Sequence, residues 1–142
     1  MRRAMLILAT VAVLLVVVGG VAFAKADCRW DSATGWNCYC YQNVPCEGTN
    51  RPENIWGTTG SDTIYGYAGN DWIEGDNSGD RVDAGPGNDD IDGGYGNDLS
   101  LVGGDGDELI EGGPGNNDRC DGGNGRDLTS GCEFTVRTEG TY

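Results

Sequence analysis

From Gly48 onward one apolar residue recurs at nine-residue intervals in a background of glycine, aspartate and asparagine. The units read GTNRPENIW, GTTGSDTIY, GYAGNDWIE, GDNSGDRVD and AGPGNDDID, followed by GGYGNDLSLV, GGDGDELIE, GGPGNNDRCD and GGNGRDLTS. GGYGNDLSLV and GGPGNNDRCD carry one extra residue each. The apolar phase is filled by Ile55, Ile64, Ile73, Val82, Ile91 and Ile110, and its neighbours are mostly polar. Such alternation predicts a short strand that buries one side chain. The half-unit with glycines at phases 1, 2 and 4 predicts a turn, because glycine accepts positive φ and lets backbones approach closely. A fixed period that survives two insertions marks a solenoid. With one inward residue per unit, two units make a coil of 18 residues, and coils stack at about 4.8 Å, the spacing of neighbouring strands.

That geometry sorts the acidic residue at phase 6 into two columns. One holds Asp62, Asp80, Asp98 and Asp118; the other holds Glu53, Asp71, Asp89, Glu108 and Asp127. Neighbouring carboxylates about 5 Å apart repel by about 3 kcal/mol at an effective dielectric near 20, so a cation is expected between them. Carboxylates and turn carbonyls are hard oxygen ligands, suited to calcium above magnesium or zinc.

Charge and composition sharpen the picture. The formal charge is −14 and becomes −17 if residues 1–26 are removed, because Arg2, Arg3 and Lys25 leave and no acid does. Such a field repels nucleic acid and anionic membranes and attracts multivalent cations. Residues 1–26 read as a signal peptide: Arg2 and Arg3 precede an apolar run from Met5 to Val18, and Ala22-Phe23-Ala24 offers small residues for cleavage after Ala24 or Ala26. Retention as a membrane anchor is the alternative. The chain contains no histidine, which removes the usual zinc ligand, the usual general base and every Ser-His-Asp or Cys-His arrangement. No H-E-x-x-H or G-x-S-x-G motif is present either, so a non-enzymatic role is expected.

At the level of motifs the units resemble the RTX (repeats-in-toxin) nonapeptide G-G-x-G-x-D-x-U-x over about residues 48–130. The turns Gly93-Gly94-Tyr95-Gly96-Asn97-Asp98 and Gly122-Gly123-Asn124-Gly125-Arg126-Asp127 fit it fully. The resemblance implies an all-β, right-handed parallel β-roll binding Ca2+ between turns, through aspartates and glycine-turn carbonyls. The ligands so implied are Asp62, Asp71, Asp80, Asp89, Asp98, Asp118 and Asp127. Glu53 and Glu108 are secondary candidates, since glutamate stands where the motif has aspartate. Ser78 for the fourth glycine, Ala84 for the first and the two insertions are further departures. The few inward residues offset little of the entropy of ordering the backbone, so metal binding is expected to be part of folding.

Solenoids need caps. Six cysteines in an apparently exported small chain point to disulfides. Counting back nine from Ile55 lands on Cys46, and Cys120 has the same inward phase. A Cys120–Cys132 bridge is expected to tie the last coil to a C-terminal cap, residues 131–142, with Phe134 and Val136 covering the end. Residues 27–47, with Cys28, Cys38, Cys40 and Cys46 among Trp30, Trp36, Tyr39 and Tyr41, read as a disulfide-stapled N-terminal cap. Cys38–Cys40 is disfavoured by its short separation, and two connectivities stay open. A zinc site on Cys38 and Cys40 is the weaker reading of that pair. The functional expectation is a secreted or envelope-associated calcium-binding protein with a structural or adhesive role. An ice-binding solenoid and a non-catalytic remnant of an exported hydrolase are the alternatives; the first lacks a regular threonine row at phase 3.

Overall fold

The computed structural model describes residues 27–136 and the backbone of 140–141. The expected signal segment, residues 1–26, lies outside the described residues. The described chain is all strand and turn: β1 Asp27–Asp31, β2 Gly35–Tyr39, β3 Cys46–Glu47, β4 Glu53–Trp56, β5 Thr63–Tyr65, β6 Trp72–Glu74 and β7 Arg81–Pro86. There follow β8 Asp90–Asp92, β9 Ser100–Asp105, β10 Leu109–Glu111, β11 Arg119–Asn124, β12 Leu128–Ser130, β13 Phe134–Val136 and β14 Gly140–Thr141. Strands alternate between two sheets, in the orders β1-β2-β4-β6-β8-β10-β12-β14 and β13-β11-β9-β7-β5-β3. Every pairing is parallel except β1 with β2. The architecture is the parallel β-roll expected from the period.

Register puts like on like. In the first sheet Cys38, Ile55, Ile73, Ile91, Ile110 and Thr129 stack in one inward ladder. In the second, Cys46, Ile64, Val82, Leu101, Cys120 and Thr135 do the same. The isoleucines and Leu101 are wholly buried, and each such side chain contributes about 1.5–3 kcal/mol. Leu101 and Thr129 are inward residues that the nine-residue count did not name.

The insertions are absorbed beside one carboxylate column. Arg81 pairs with Ser100 while the Asp80 amide reaches the Asp98 carboxylate, so Leu99 is the extra residue and stands exposed. One coil later the Asn116 amide reaches Asn97 and the Asp98 amide reaches Asp118, which leaves Asn117 as the extra residue. Extruding one residue at a corner keeps both inward ladders in phase, as a bulge does.

The N-terminal cap is the first coil of the roll. β2 takes the solenoid register against β4, and β1 folds back on it as an antiparallel edge. Disulfides join Cys28 to Cys38 and Cys40 to Cys46, so neither Cys38 nor Cys40 offers a thiolate to zinc. At the other end Cys120 is bridged to Cys132. The tail corrects one expectation. β13 adds a strand beside β11 with Thr135 in the inward phase, so Phe134 alternates outward and is 57% exposed rather than covering the end.

Candidate metal centre

The turns bring each phase-6 carboxylate beneath the roll surface. Asp62, Asp71, Asp80, Asp89, Asp98, Asp118 and Asp127 are buried, and so are Glu53 and Glu108. One oxygen of most of them accepts a hydrogen bond from the phase-6 amide of the preceding coil. In one column the Asp62 amide donates to Asp80 at 2.7 Å, Asp80 to Asp98 at 2.8 Å and Asp98 to Asp118 at 2.7 Å. In the other, Glu53 donates to Asp71 at 2.9 Å, Asp71 to Asp89 at 2.8 Å and Glu108 to Asp127 at 3.2 Å. The two columns are those read from the phase.

The second oxygen is what gives the site its chemistry. Asp71, Asp80, Asp89, Asp98, Asp118 and Asp127 each hold a buried Oδ2 without a partner, Asp62 a buried Oδ1, and Glu108 both carboxylate oxygens. A buried, unpartnered carboxylate oxygen is costly, and native proteins keep such atoms where an ion completes them. Burial pushes Asp71 and Asp80 up to about 7 and Glu108 to about 8. Neighbouring carboxylates add to this: Asp89 acts on Asp71, Asp98 on Asp80, and Asp127 on Glu108. Burial raises Asp89 and Asp98 to about 6, and Asp118 upward as well. The surface ion pairs, Arg29 with Asp27 and Arg126 with Asp107, lie away from the columns.

Glycine at phase 1 serves this site by leaving room rather than by its φ. A Cβ on Gly75 would lie 2.6 Å from Asp80 Oδ2 and 2.4 Å from the Gly93 carbonyl. Positive φ is used at phases 2 and 4: at phase 2 Gly94 has φ +89°, and its missing Cβ would lie 2.1 Å from the Asp76 carbonyl. The free carboxylate oxygens thus face a cradle of backbone oxygen, a hard donor set that fits calcium.

Two features escaped the periodic reading. Glu133 extends the first column, because its Oε2 accepts the Asp118 amide at 2.8 Å. It lies 15 residues from Asp118, off the repeat spacing, and its place is set by the register of β13 after the Cys132 bridge. At the opposite end threonine does the work of a ligand. Glu53 accepts the Thr49 amide at 2.6 Å and the Thr49 hydroxyl, while Asp62 Oδ2 accepts the Thr58 amide at 2.6 Å and hydroxyl at 3.0 Å. Trp36 occupies the phase of Glu53 in the first coil and ends that column. A Cys28, Cys38 and Glu53 cluster is no metal site, because both sulfurs are in the disulfide.

A parallel roll with two buried carboxylate columns facing glycine turns defines a cation-binding repeat protein. The sequence model of the RTX calcium-binding nonapeptide repeat matches residues 47–82, 74–99 and 100–128, more than half of the chain. The chain belongs to this calcium-binding repeat family. No curated protein and no solved structure matched it.

Proposed function

We propose that this chain is a secreted, non-enzymatic protein whose roll folds on meeting calcium outside the cell and serves there as a structural or adhesive element. Asp62, Asp80, Asp98 and Asp118 hold calcium along one column, and Asp71, Asp89, Asp127 and Glu108 along the other. Glu53 contributes least, since threonine already satisfies both its oxygens. The observation that carries the reading is the recurrence, coil after coil, of a buried carboxylate oxygen with no partner. Bound calcium supplies the counter-charge that the columns lack. Binding to the folded state alone then becomes folding free energy. Calcium is scarce in the cytosol and abundant outside, which ties folding to export. The signal-like residues 1–26 and the bridged cysteines support that route.

The test is far-ultraviolet circular dichroism of the disulfide-intact chain, started in chelator and titrated with calcium, with magnesium as control. A coil-like spectrum that turns to β with calcium alone is the expected result. A spectrum indifferent to calcium sinks calcium-dependent folding.

A further inference from the structure

Outside the carboxylate columns, the N-terminal coils carry a second constellation. A shallow groove of about 600 Å3 runs across the turn-to-strand corner of the first sheet, and Trp30, Trp36 and Trp72 line it together with Arg51, Asn70 and Asn88. Trp30 is 63% exposed and stands edge-on to Trp36, with ring centroids 5.8 Å apart. Trp36 and Trp72 are half-buried, so the groove presents one open indole beside two partly covered ones. Three indoles sharing one groove make a contiguous apolar patch of the kind that marks a ligand-binding surface.

The polar groups of the groove set donors on Arg51, Asn70 and Asn88 beside the carboxylates of Glu53, Asp71 and Asp90. Asn70 Oδ1 accepts the Asn88 amide at 3.0 Å, and Asn88 Oδ1 accepts the Asp107 amide at 3.1 Å. Each asparagine thereby has its oxygen committed to the coil ladder and its Nδ2 left to donate. Arg51 lies over the Trp36 ring at 5.0 Å and forms no ion pair with a described residue. Asp90, on the same wall, supplies an acceptor. The wall spans four successive coils, about 14 Å at the strand spacing.

We infer that this groove binds a short stretch of a neutral carbohydrate chain. Flat indole faces match the C–H faces of pyranose rings, and the amide and guanidinium donors of Asn70, Asn88 and Arg51, set among the carboxylates of Glu53, Asp71 and Asp90, match a row of hydroxyls. A quaternary ammonium ligand is opposed by Arg51, which already stands on one aromatic face. A polyanionic glycan is opposed by the chain's formal charge of −14. Of the carboxylate columns the groove meets only Glu53 and Asp71, both of the second column, while Trp30, Trp36, Trp72, Arg51, Asn70 and Asn88 belong to neither, so sugar binding can be tested apart from calcium binding.

The experiment uses the full disulfide-intact chain in calcium, with its dichroism recorded so that a failure to fold is told apart from a failure to bind sugar. Cellohexaose, chitohexaose and polygalacturonate are titrated by calorimetry and by tryptophan fluorescence. At least one neutral hexasaccharide is expected to bind and shift the emission. Trp30→Ala and Arg51→Gln, both at exposed side chains, are expected to weaken that binding about tenfold or more. Tyr95→Ala, at an exposed ring outside the groove, is expected to leave it unchanged. Binding of neither neutral sugar, binding of polygalacturonate alone, or binding that survives both groove substitutions would each overturn the inference.

Discussion

Asp80 is the residue at which a ligand and a merely structural carboxylate give opposite answers. Its Oδ1 accepts the Asp62 amide at 2.7 Å, and its Oδ2 is buried without a partner. Asp80→Asn keeps an amide oxygen for the first bond and replaces the second oxygen with a neutral group of the same size. Without metal the wild-type carboxyl is raised from 3.8 to about 7, by burial first and by its acidic neighbours second. A group whose folded-state value lies above its unfolded one favours folding when protonated, and the folded state loses ground as pH rises through about 7. The full shift corresponds to about 4 kcal/mol at 1.36 kcal/mol per pH unit. Taking half for solvent screening in so thin a roll leaves about 2 kcal/mol. Asp80→Asn should therefore stabilise the metal-free roll by about 2 kcal/mol near pH 8 and have little effect near pH 4.

With calcium the sign reverses. Removing one charged partner from a buried pair costs about 3–5 kcal/mol, so the calcium midpoint should rise by at least about a hundredfold. The assay is β content by circular dichroism. Metal-free folding is driven by an excluded osmolyte in chelator at the two pH values, and calcium is titrated separately. The reasoning is refuted if the variant is less stable than wild type in chelator near pH 8. It also fails if the calcium midpoint moves by less than about threefold.

Acid should partly replace calcium. Asp71 and Asp80 are raised to about 7, Glu108 to about 8, and Asp89 and Asp98 to about 6, so the metal-free chain should gain β structure as pH falls from about 8 towards 5. A dichroism signal that stays flat or declines over that range would contradict it, as would calcium binding near neutral pH that releases no protons in calorimetry across buffers of different ionisation enthalpy. Gly94→Ala, at φ +89° with its added Cβ 2.1 Å from the Asp76 carbonyl, should cost at least about 2 kcal/mol in saturating calcium. Gly60→Ala, which meets nothing nearer than 3.8 Å, should stay within about 0.5 kcal/mol, and equal urea midpoints for the two variants would refute the close-approach account.

The legible part of this molecule is the part that repeats. A period of nine with an inward Ile or Val in six of the nine units leaves one choice of inward face, because a slip by one residue would bury Asp90 and Asp92 in place of Ile91. The two acid columns follow from the same count. The count fails where covalent or bulge geometry resets the phase. Leu101 is one place late because Leu99 is extruded, and Glu133 arrives early because the Cys120–Cys132 bridge shortens the last coil. Phe134, read as a lid from its apolar character, points outward for the same reason: once Thr135 is paired with Cys120, strand alternation fixes its neighbours.

The ends also differ from the middle in how a carboxylate is satisfied, and this bears on where calcium is needed. Towards the N-terminus Thr49 and Thr58 donate amide and hydroxyl to Glu53 and Asp62, and aromatic contacts such as Tyr39 on Trp56, with centroids 5.0 Å apart, hold successive coils together. Further on, threonine gives way at phase 2 to Tyr67, Asp76 and then glycine, the threonine hydroxyl is lost, and the carboxylate keeps an oxygen with no protein partner. The disulfide-stapled end thus has protein-supplied partners for both oxygens of Glu53 and for one of Asp62, while the glycine-rich middle depends more fully on a cation. Order in such a roll is set coil by coil through nearest neighbours. A metal-free chain should therefore retain structure first around Cys28–Trp56, and calcium should extend it from there towards Asp118.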